Sequence, residues 1–265
     1  MSTIPRPNRL KQALAEGRVP VGHMVWEFST RGISKLIEAA GVDFCIFDME
    51  HSCIDVERIA DLLAWVKATP VTPFVRLPQN EYHFLARVMD AGAMGVMVAN
   101  VETPEAARNV VAAVKYAPMG RRGVGIGTSH TDYLNPDPET YFREINEAST
   151  IICQIESVFG VQNAEAIAAT PGVDILWVGH FDLSQTMGIP GQFHDKRFTA
   201  ALLHVVEAAR KHGKLLGIQP GSMEQAEEWM GYGFNVISYS ADSAVYKAAL
   251  SAGVAGIREL AKRAR

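Results

Sequence analysis

Short apolar runs alternate along the chain with segments of helical periodicity. The apolar runs are continuous rather than alternating with polar residues, which is typical of parallel strands covered on both faces. We therefore predict eight strands, at residues 20–26, 43–48, 72–77, 95–100, 151–156, 174–178, 215–219 and 234–239. Between them the pattern predicts helices that include residues 29–40, 56–67, 82–91, 103–116 and 197–211.

The boundaries of these segments carry the residues that start and end helices. Thr103 and Pro104 combine a capping hydroxyl with a proline at the first helical position. Glycines follow several predicted helices, as at Gly41, Gly92 and Gly213. Eight strands, each followed by a helix, predict an α/β fold of the (β/α)₈ TIM barrel type, with residues 1–265 as one domain. A doubly wound open sheet is the alternative.

Composition and charge exclude several classes of protein. Hydrophobic residues make up 48% of the chain and charged residues 20%, and the net charge is -4, so no basic surface for nucleic acid is expected. No apolar run is long enough for a membrane span, and residues 1–6 do not resemble a signal peptide. The 3 cysteines form no CxxC pair, which argues against a disulfide scaffold or structural zinc. We expect a cytoplasmic protein.

Two loops depart from the strand–helix alternation. Residues 120–133 are rich in glycine, and residues 184–195 contain glycine and proline after the sixth strand. The GVGIG stretch in the first loop lacks a preceding strand and a following Lys-Ser/Thr, so it is a poor match to a nucleotide-binding loop. We interpret residues 120–133 as an active-site or subunit-contact loop, and residues 184–195 as an insertion at the barrel rim.

Charged and polar residues stand where four of the predicted strands end. In a barrel of this type, catalytic side chains come from the C-terminal ends of the strands. Taken singly, each residue also has an ordinary structural role, such as a helix cap or a rim ion pair. Their convergence on one mouth favours a site. The residues are Asp48, Glu50 and His51 after strand two, Arg76 in strand three, Gln154 and Glu156 in strand five, and His180 and Asp182 after strand six.

These residue types suit the chemistry of an enolate. Glu156 and Asp182 supply hard oxygen ligands for a divalent cation such as Mg²⁺ or Mn²⁺. His51 beside Asp48 is a base with a charge partner, and Arg76 offers a fixed cation for a developing oxyanion. A metal that chelates a 2-oxo acid would stabilise the enolate formed when a neighbouring bond breaks. No lysine falls at a predicted strand end, which disfavours a Schiff-base route.

Six motifs along the chain resemble those of one known family, the HpcH/HpaI aldolases, whose members are metal-dependent (class II) pyruvate aldolases. Their order and approximate spacing also agree with the family. The motifs are FCIFDMEH at residues 44–51, FVR at 74–76, VMDAG at 88–92, RGVG at 122–125, QIE at 154–156 and DLS at 182–184.

The resemblance implies a role for each site residue. His51 would be the general base with Asp48 as its dyad partner, and Arg76 would stabilise the transition state. Glu156 and Asp182 would bind the divalent metal, Mg²⁺, Mn²⁺ or Co²⁺, with no nucleotide cofactor. The substrate contacts would be Gln154, Arg76 and the backbone amides of Phe181 and Asp182.

The resemblance also implies how the subunits assemble and what they bind. Asp90 would reach the histidine of a neighbouring subunit within a homo-oligomer, a hexamer built from dimers that exchange the last helix. A 2-oxo acid and an aldehyde would be the small-molecule partners, with no nucleic acid and no membrane.

Two departures from the family pattern fall at the mouth. Gly179 is followed by His180 where the family usually has proline, and strand four ends at Ala99-Asn100 instead of the usual Val-Pro. They leave the metal and base residues intact but bear on the second substrate. Besides a 4-hydroxy-2-oxo acid aldolase, the sequence is compatible with an oxaloacetate decarboxylase or a condensing enzyme of the citrate or macrophomate synthase kind. A metabolite-binding barrel without activity is the alternative that is not an enzyme.

Overall fold

A computed structural model describes residues 5–264 of the chain. Eight parallel strands pair in sequence order, and the eighth pairs with the first, so the sheet closes into a barrel. The predicted (β/α)₈ fold is confirmed. The strands are β1 (Val21–Val25), β2 (Phe44–Asp48), β3 (Thr72–Leu77), β4 (Gly95–Val98), β5 (Thr150–Ile155), β6 (Ile175–Val178), β7 (Leu215–Ile218) and β8 (Val236–Ala241).

Helices surround the barrel and close one of its ends. They are α1 (Arg9–Ala15), α2 (Ile33–Ala39), α3 (Val56–Val66), α4 (Tyr82–Ala91), α5 (Pro104–Val114), α6 (Pro138–Ala148), α7 (Val158–Gln162), α8 (Ala164–Ala168), α9 (His180–Thr186), α10 (Lys196–Lys211), α11 (Met223–Tyr232) and α12 (Asp242–Arg263). α1 precedes the first strand, and its Leu10 packs with Phe44 and Phe74 inside the barrel. α1 therefore covers the N-terminal ends of the strands and leaves the other end open as a mouth.

The predicted helix at residues 29–40 begins later in the structure, at Ile33. The carboxylate of Asp242 accepts hydrogen bonds from the backbone N–H groups of Glu27 and Phe28, at 3.1 and 2.7 Å. These bonds hold the chain in a turn between β1 and α2, so helical geometry starts only after the turn.

The long glycine-rich loop does not lie at the mouth. Lys67 at the end of α3 binds Asp132 at 2.5 Å, and the Ser129 hydroxyl donates to the carbonyl of Ala91 at 3.1 Å. Both contacts lie near the N-terminal ends of the strands, where α3 and α4 end. No residue of 120–133 lines the cavity at the mouth of its own chain. The interpretation of residues 120–133 as an active-site loop is therefore wrong within one chain. Their role in a contact between subunits stays a prediction.

α12 is the longest helix, with 22 residues, and it stands apart from the barrel. Among the residues of α12, only Asp242 is buried. Apolar side chains recur on its exposed surface at intervals of three and four, at Tyr246, Leu250, Val254 and Ile257. Within residues 5–264, neither α12 nor a shorter helix has both the length and the apolar character that crossing a membrane requires. That residues 1–265 form one domain stays a prediction.

Candidate active site

The open end of the barrel holds a cavity of about 490 Å³ at the C-terminal ends of the strands. Apolar walls come from Met24, Trp26 and Trp177. Six residues of the predicted site line it, namely His51, Arg76, Gln154, His180, Phe181 and Asp182. Side chains that are far apart in sequence therefore share one space, as the convergence of strand ends predicts.

Asp48 and Arg76 form a buried ion pair at the base of the mouth. Strands β2 and β3 place the two residues opposite each other, and both carboxylate oxygens of Asp48 accept from the guanidinium, each at 2.7 Å. Asp48 is fully buried, so removing either partner would leave an uncompensated charge at a cost of about 3–5 kcal/mol. The pair fixes the orientation of the Arg76 guanidinium at the cavity.

This ion pair corrects one expectation from the sequence, the pairing of Asp48 with the His51 imidazole. Asp48 contacts His51 through the backbone instead, since its carboxylate accepts from the N–H of His51 at 3.2 Å and from that of Glu50 at 2.9 Å. The closeness of Asp48 and His51 in sequence predicts a dyad. The register of β2 and β3 instead places the carboxylate of Asp48 opposite Arg76, with which it pairs. Asp48 therefore shapes the turn that carries His51, whose side chain is 54% exposed.

Glu50 belongs to the same cluster, and the sequence reasoning gave it no role. Its carboxylate lies 3.1 Å from Nη1 of Arg76 and 3.9 Å from Nε2 of His51. Burial raises the pKa of Glu50, and the charge of Arg76 opposes that rise. The signal was present in the sequence, because residues two apart after a strand, here Asp48 and Glu50, can turn towards the same mouth.

Glu156 is a buried carboxylate at the end of β5. Its Oε1 accepts from the backbone N–H of Asn100 at 2.6 Å, and Oε2 accepts from the side-chain amide of Gln154. Burial raises the pKa of Glu156 to about 7, and the nearby charges of Glu50 and Asp182 act in the same direction. Three carboxyl groups thus influence one another across a small volume, which is an environment that favours a bound cation.

Gly179 makes room for this carboxylate. A Cβ on Gly179 would lie 2.3 Å from Oε2 of Glu156 and 2.9 Å from Nε2 of Gln154, closer than side-chain atoms approach. The backbone between β6 and α9 therefore passes directly against the Glu156 carboxylate. Asn100, on the other side, has a φ of 51°, a left-handed conformation that asparagine tolerates better than most residues.

His180, Phe181 and Asp182 form the first turn of α9 at the edge of the cavity. The His180 ring packs against Phe193 and Trp229, with ring centroids 5.0 and 4.9 Å away. Burial lowers the pKa of His180 to about 4, so its imidazole is neutral near pH 7. The residue that replaces the usual proline therefore serves as part of an aromatic wall.

Asp90 lies away from the site of its own chain. It is the penultimate residue of α4, and its carboxylate is 42% exposed. The Nε of Arg122, whose side chain is 1% exposed, donates to Oδ1 of Asp90 at 3.1 Å. The structure thus holds Asp90 on the outer surface and does not bring it to His51 within one chain.

The barrel and its mouth define an enzyme that acts on a small molecule. The imidazole of His51, the fixed guanidinium of Arg76 and the carboxylate of Asp182 face one cavity at the end of the barrel where catalytic groups lie, and the buried Glu156 carboxylate lies behind its lining. This combination suits proton transfer coupled to the stabilisation of an oxyanion.

Comparison with known proteins gives the family. The model of the family described as HpcH/HpaI aldolase/citrate lyase matches residues 28–249. The chain is 35% identical to the 5-keto-4-deoxy-D-glucarate aldolase of Klebsiella pneumoniae, over 92% of this chain and 94% of the relative. A solved HpcH/HpaI aldolase from Desulfitobacterium hafniense has a TM-score of 0.89 at 31% identity, covering 94% of this chain and 96% of that one.

The structure is also similar to that of the citrate synthase SbnG, with a TM-score of 0.86 at 28% identity, covering 96% of this chain and 98% of that one. The chain belongs to the HpcH/HpaI aldolase/citrate lyase family. It is an aldolase, a carbon–carbon lyase, and the resemblance of its motifs is confirmed.

Proposed function

We propose that this aldolase depends on a divalent metal, and that it cleaves or forms a 4-hydroxy-2-oxo acid from pyruvate, or a related 2-oxo acid, and an aldehyde. The observation that carries the proposal is the buried Glu156 carboxylate, which lies directly against Gln154 and Gly179. These two residues line the same cavity as His51, Arg76 and Asp182. The aldolases to which the chain is similar support the reaction type. The metal is supported by the family, because class II aldolases are generally dependent on a divalent metal.

Glu156 and Asp182 would hold the metal. Both offer hard oxygen atoms, which suit Mg²⁺, Mn²⁺ or Co²⁺. Within residues 5–264 no three His, Cys, Asp or Glu side chains form a set that would hold a metal, so the protein would supply only these two carboxylates, and water and substrate the rest. Burial raises the pKa of Glu156, the charges of Glu50 and Asp182 add to that rise, and a bound cation would offset both effects. When bound, the metal would act as a Lewis acid towards the 2-oxo acid.

The side chains of this chain would handle the proton and the developing charge. In the cleavage direction His51 takes the proton from the 4-hydroxyl group and the bond between C3 and C4 breaks. The aldehyde leaves, and His51 returns the proton to C3 of the enolate, which gives the 2-oxo acid and restores the neutral imidazole. Arg76, held by Asp48, steadies the oxyanion without having to reorganise, because its guanidinium is already fixed.

The 2-oxo acid would lie along β5 and the start of α9. Gln154 lines the cavity beside Glu156, and its Oε1 is buried without a hydrogen-bond partner among residues 5–264. The first N–H groups of a helix have no partner inside the helix, so those of Phe181 and Asp182 are free to receive the carboxylate of the substrate. The aldehyde would then face the wall of Trp26, Phe181 and Met24.

Assembly would complete the site. We propose a homo-oligomer, with the hexamer as the expected form, in which Asp90 of one chain enters the mouth of a neighbour and supports its His51. The carboxylate of Asp90 fits this role because it is exposed and is held in place by its ion pair with Arg122. The apolar stripe of α12 supports the exchange of that helix within a dimer.

A second candidate keeps the enolate but changes its partner. The solved citrate synthase with the same fold favours a condensing reaction. In such a reaction the enolate attacks an acceptor molecule, and no aldehyde is released. Decarboxylation of oxaloacetate would pass through the same pyruvate enolate.

One assay separates the aldolase from the decarboxylase. The metal-loaded enzyme is given 4-hydroxy-2-oxo acids with different aldehyde portions, and in parallel oxaloacetate, and pyruvate release is followed for each. Faster release from a 4-hydroxy-2-oxo acid supports the aldolase, whereas faster release from oxaloacetate makes decarboxylation the principal activity. Pyruvate release that survives exhaustive treatment with a chelator, or trapping of a lysine adduct by borohydride, would overturn the metal route.

A further inference from the structure

A small cavity lies beneath the barrel, at the end opposite the mouth; we call it the base cavity. It has a volume of about 30 Å³ and lies where α4 ends, between residues 120–133 and the segment before α1. Its lining includes Arg6, Lys67, Arg122, His130, Asp132 and Tyr141. None of these residues lines the cavity at the mouth, so the proposed aldolase site does not account for them.

Polar atoms in the lining of the base cavity have no protein partner. Within residues 5–264, Nη1 of Arg6, the hydroxyl of Tyr141 and both ring nitrogens of His130 are buried and make no hydrogen bond. Tyr141 is 2% exposed as a whole residue. Buried polar atoms in folded proteins nearly always have a partner, so a concentration of such atoms around one cavity indicates a bound species.

The charges around the base cavity do not balance. Lys67 pairs with Asp132, and Arg122 pairs with Asp90. Arg6 instead donates through Nη2 to the carbonyl of Thr69, which carries no charge. The lining thus contains three cations, of which Asp132 and Asp90 neutralise two, and an excess of one positive charge remains.

His130 does not supply the missing negative charge, nor does it add a positive one. Burial lowers the pKa of His130 to about 4, and the charges of Arg122 and Lys67 act in the same direction. Near pH 7 the ring is therefore neutral, with one nitrogen that donates a hydrogen bond and one that accepts.

We propose that the base cavity binds one monovalent anion of the size of chloride. The N–H of Arg6, the O–H of Tyr141 and the N–H of His130 donate to it, and its charge cancels the excess of one. A volume of about 30 Å³ holds one or two species of the size of water. This size admits a halide and one water, which can donate to the second nitrogen of His130, and it excludes phosphate, nucleotides and the carboxylate substrates of the mouth.

The location gives the anion a structural consequence. Arg122 lines the base cavity, and its guanidinium holds the carboxylate of Asp90. An anion there adds a second negative charge near Arg122, besides the carboxylate of Asp90. Binding of the anion does not depend on the proposed reaction and is testable without substrate.

Bromide provides a direct test, because its anomalous scattering identifies it in a crystal. We expect crystals of the wild-type chain grown in sodium bromide to show an anomalous peak in the base cavity, within hydrogen-bond distance of Arg6 and Tyr141. A cavity that holds only water, or that is filled by the protein itself, would overturn the proposal.

Thermal unfolding tests whether the protein uses the anion in solution. We expect the midpoint to rise by about 2–4 °C when sodium gluconate, whose anion is too large, is replaced by sodium chloride at equal ionic strength. The shift should disappear in Tyr141→Phe and in Arg6→Gln, and should persist in Arg143→Gln, which removes an exposed charge from α6. Equal midpoints for the wild-type chain would contradict the proposal and mark a bromide peak as an adventitious ion only. If a variant fails to fold, the wild-type measurements still decide.

Discussion

The mouth of the barrel and α12 depart from the usual rule of burial in opposite directions. At the mouth, the charged side chains of Asp48, Arg76 and Glu156 are buried. Along α12, the apolar side chains of Leu250 and Ile257 are exposed, although α10, another long helix, buries its apolar face against the barrel. Buried charge needs a counter-charge, and exposed apolar surface needs a covering surface.

We propose that each region is completed by something outside the single chain. The proposed component is small and charged at the mouth, and it is large and apolar along α12. Asp90 connects the two, because it is proposed to reach the mouth of one chain from the surface of another. The predictions below separate these two kinds of completion.

Removing a proposed metal ligand should give the largest effect. Loss of a Lewis acid that contributes several kcal/mol corresponds to a decrease in kcat of about 10⁴-fold. We expect Glu156→Gln to show this decrease and to lose metal binding by calorimetry while the barrel remains folded. Glu165→Gln, which changes an exposed carboxylate paired with Lys211, is the matched control and should behave like the wild type. Unchanged metal binding by Glu156→Gln would remove this residue from the proposed site.

His51→Ala tests the base at the same mouth. Loss of a general base typically costs about 10²–10⁴-fold in rate. Because His51 is not a proposed ligand, metal affinity measured by calorimetry should stay near that of the wild type. The control His194→Ala alters another exposed histidine and should leave turnover unchanged. Turnover close to that of the wild type in His51→Ala would assign the proton transfer to another group.

Asp90→Ala tests whether the mouth is shared between chains. Loss of a residue that orients a functional group typically costs about 10–100-fold. Mixing Asp90→Ala chains with His51→Ala chains, after mild dissociation and reassembly, should restore up to about one quarter of the sites, since a shared site needs one intact residue from each of two chains. A mixture no more active than its components would show that the site is not shared.

The pH dependence of metal binding gives a smaller effect. The pKa of Glu156 in the metal-free chain is raised to about 7, so its neutral form predominates below that pH. Metal must displace this proton, and affinity should fall about tenfold per pH unit below 7. The same shift has the opposite sign for folding: the contribution of Glu156 to the stability of the metal-free chain is complete below about pH 4.5 and is lost as the pH rises through 7. Titration by calorimetry at several pH values checks the first effect, and an affinity independent of pH would contradict it.

The last prediction concerns α12. Substitutions there should have the smallest effect on the free energy of unfolding of the single chain. Leu250→Glu combined with Ile257→Glu places charges on the apolar stripe, and surface substitutions usually alter stability by about 0.5 kcal/mol or less. The mass by light scattering should nevertheless fall, and activity should fall to that of Asp90→Ala. Ala255→Glu, on the charged side of the helix, should leave the mass unchanged. An unchanged mass for the double variant would show that the stripe is not covered by another chain.

The sequence predicts the barrel and most of the mouth, because both follow from local patterns. Continuous apolar runs identified the strands, and catalytic groups in a barrel lie where strands end. The pairing of Asp48 with Arg76 was missed because it depends on the register between two strands. Trp177 was missed for a related reason: within an apolar run, a residue that faces the cavity looks the same as one that faces the core.

The exposure of α12 was not predictable from hydrophobic periodicity. An apolar stripe at helical spacing predicts burial, but it does not say against which surface. Only the resemblance to a family suggested that the last helix is exchanged between chains. The base cavity was equally out of reach, since Arg6, His130 and Tyr141 are distant in sequence and meet only in the fold.

The pairing of Trp177 on β6 with Gly217 on β7 has a consequence for how this enzyme can diversify. A Cβ on Gly217 would lie 2.0 Å from Cε3 of Trp177, because the indole occupies the space over its neighbour in the next strand. Since Trp177 lines the mouth, a smaller residue there would enlarge the cavity and leave a void above the glycine. A larger residue at position 217 is accommodated only after the tryptophan has gone. Moving the bulk of this wall from position 177 to position 217 therefore requires two ordered mutations, the tryptophan first and the glycine second.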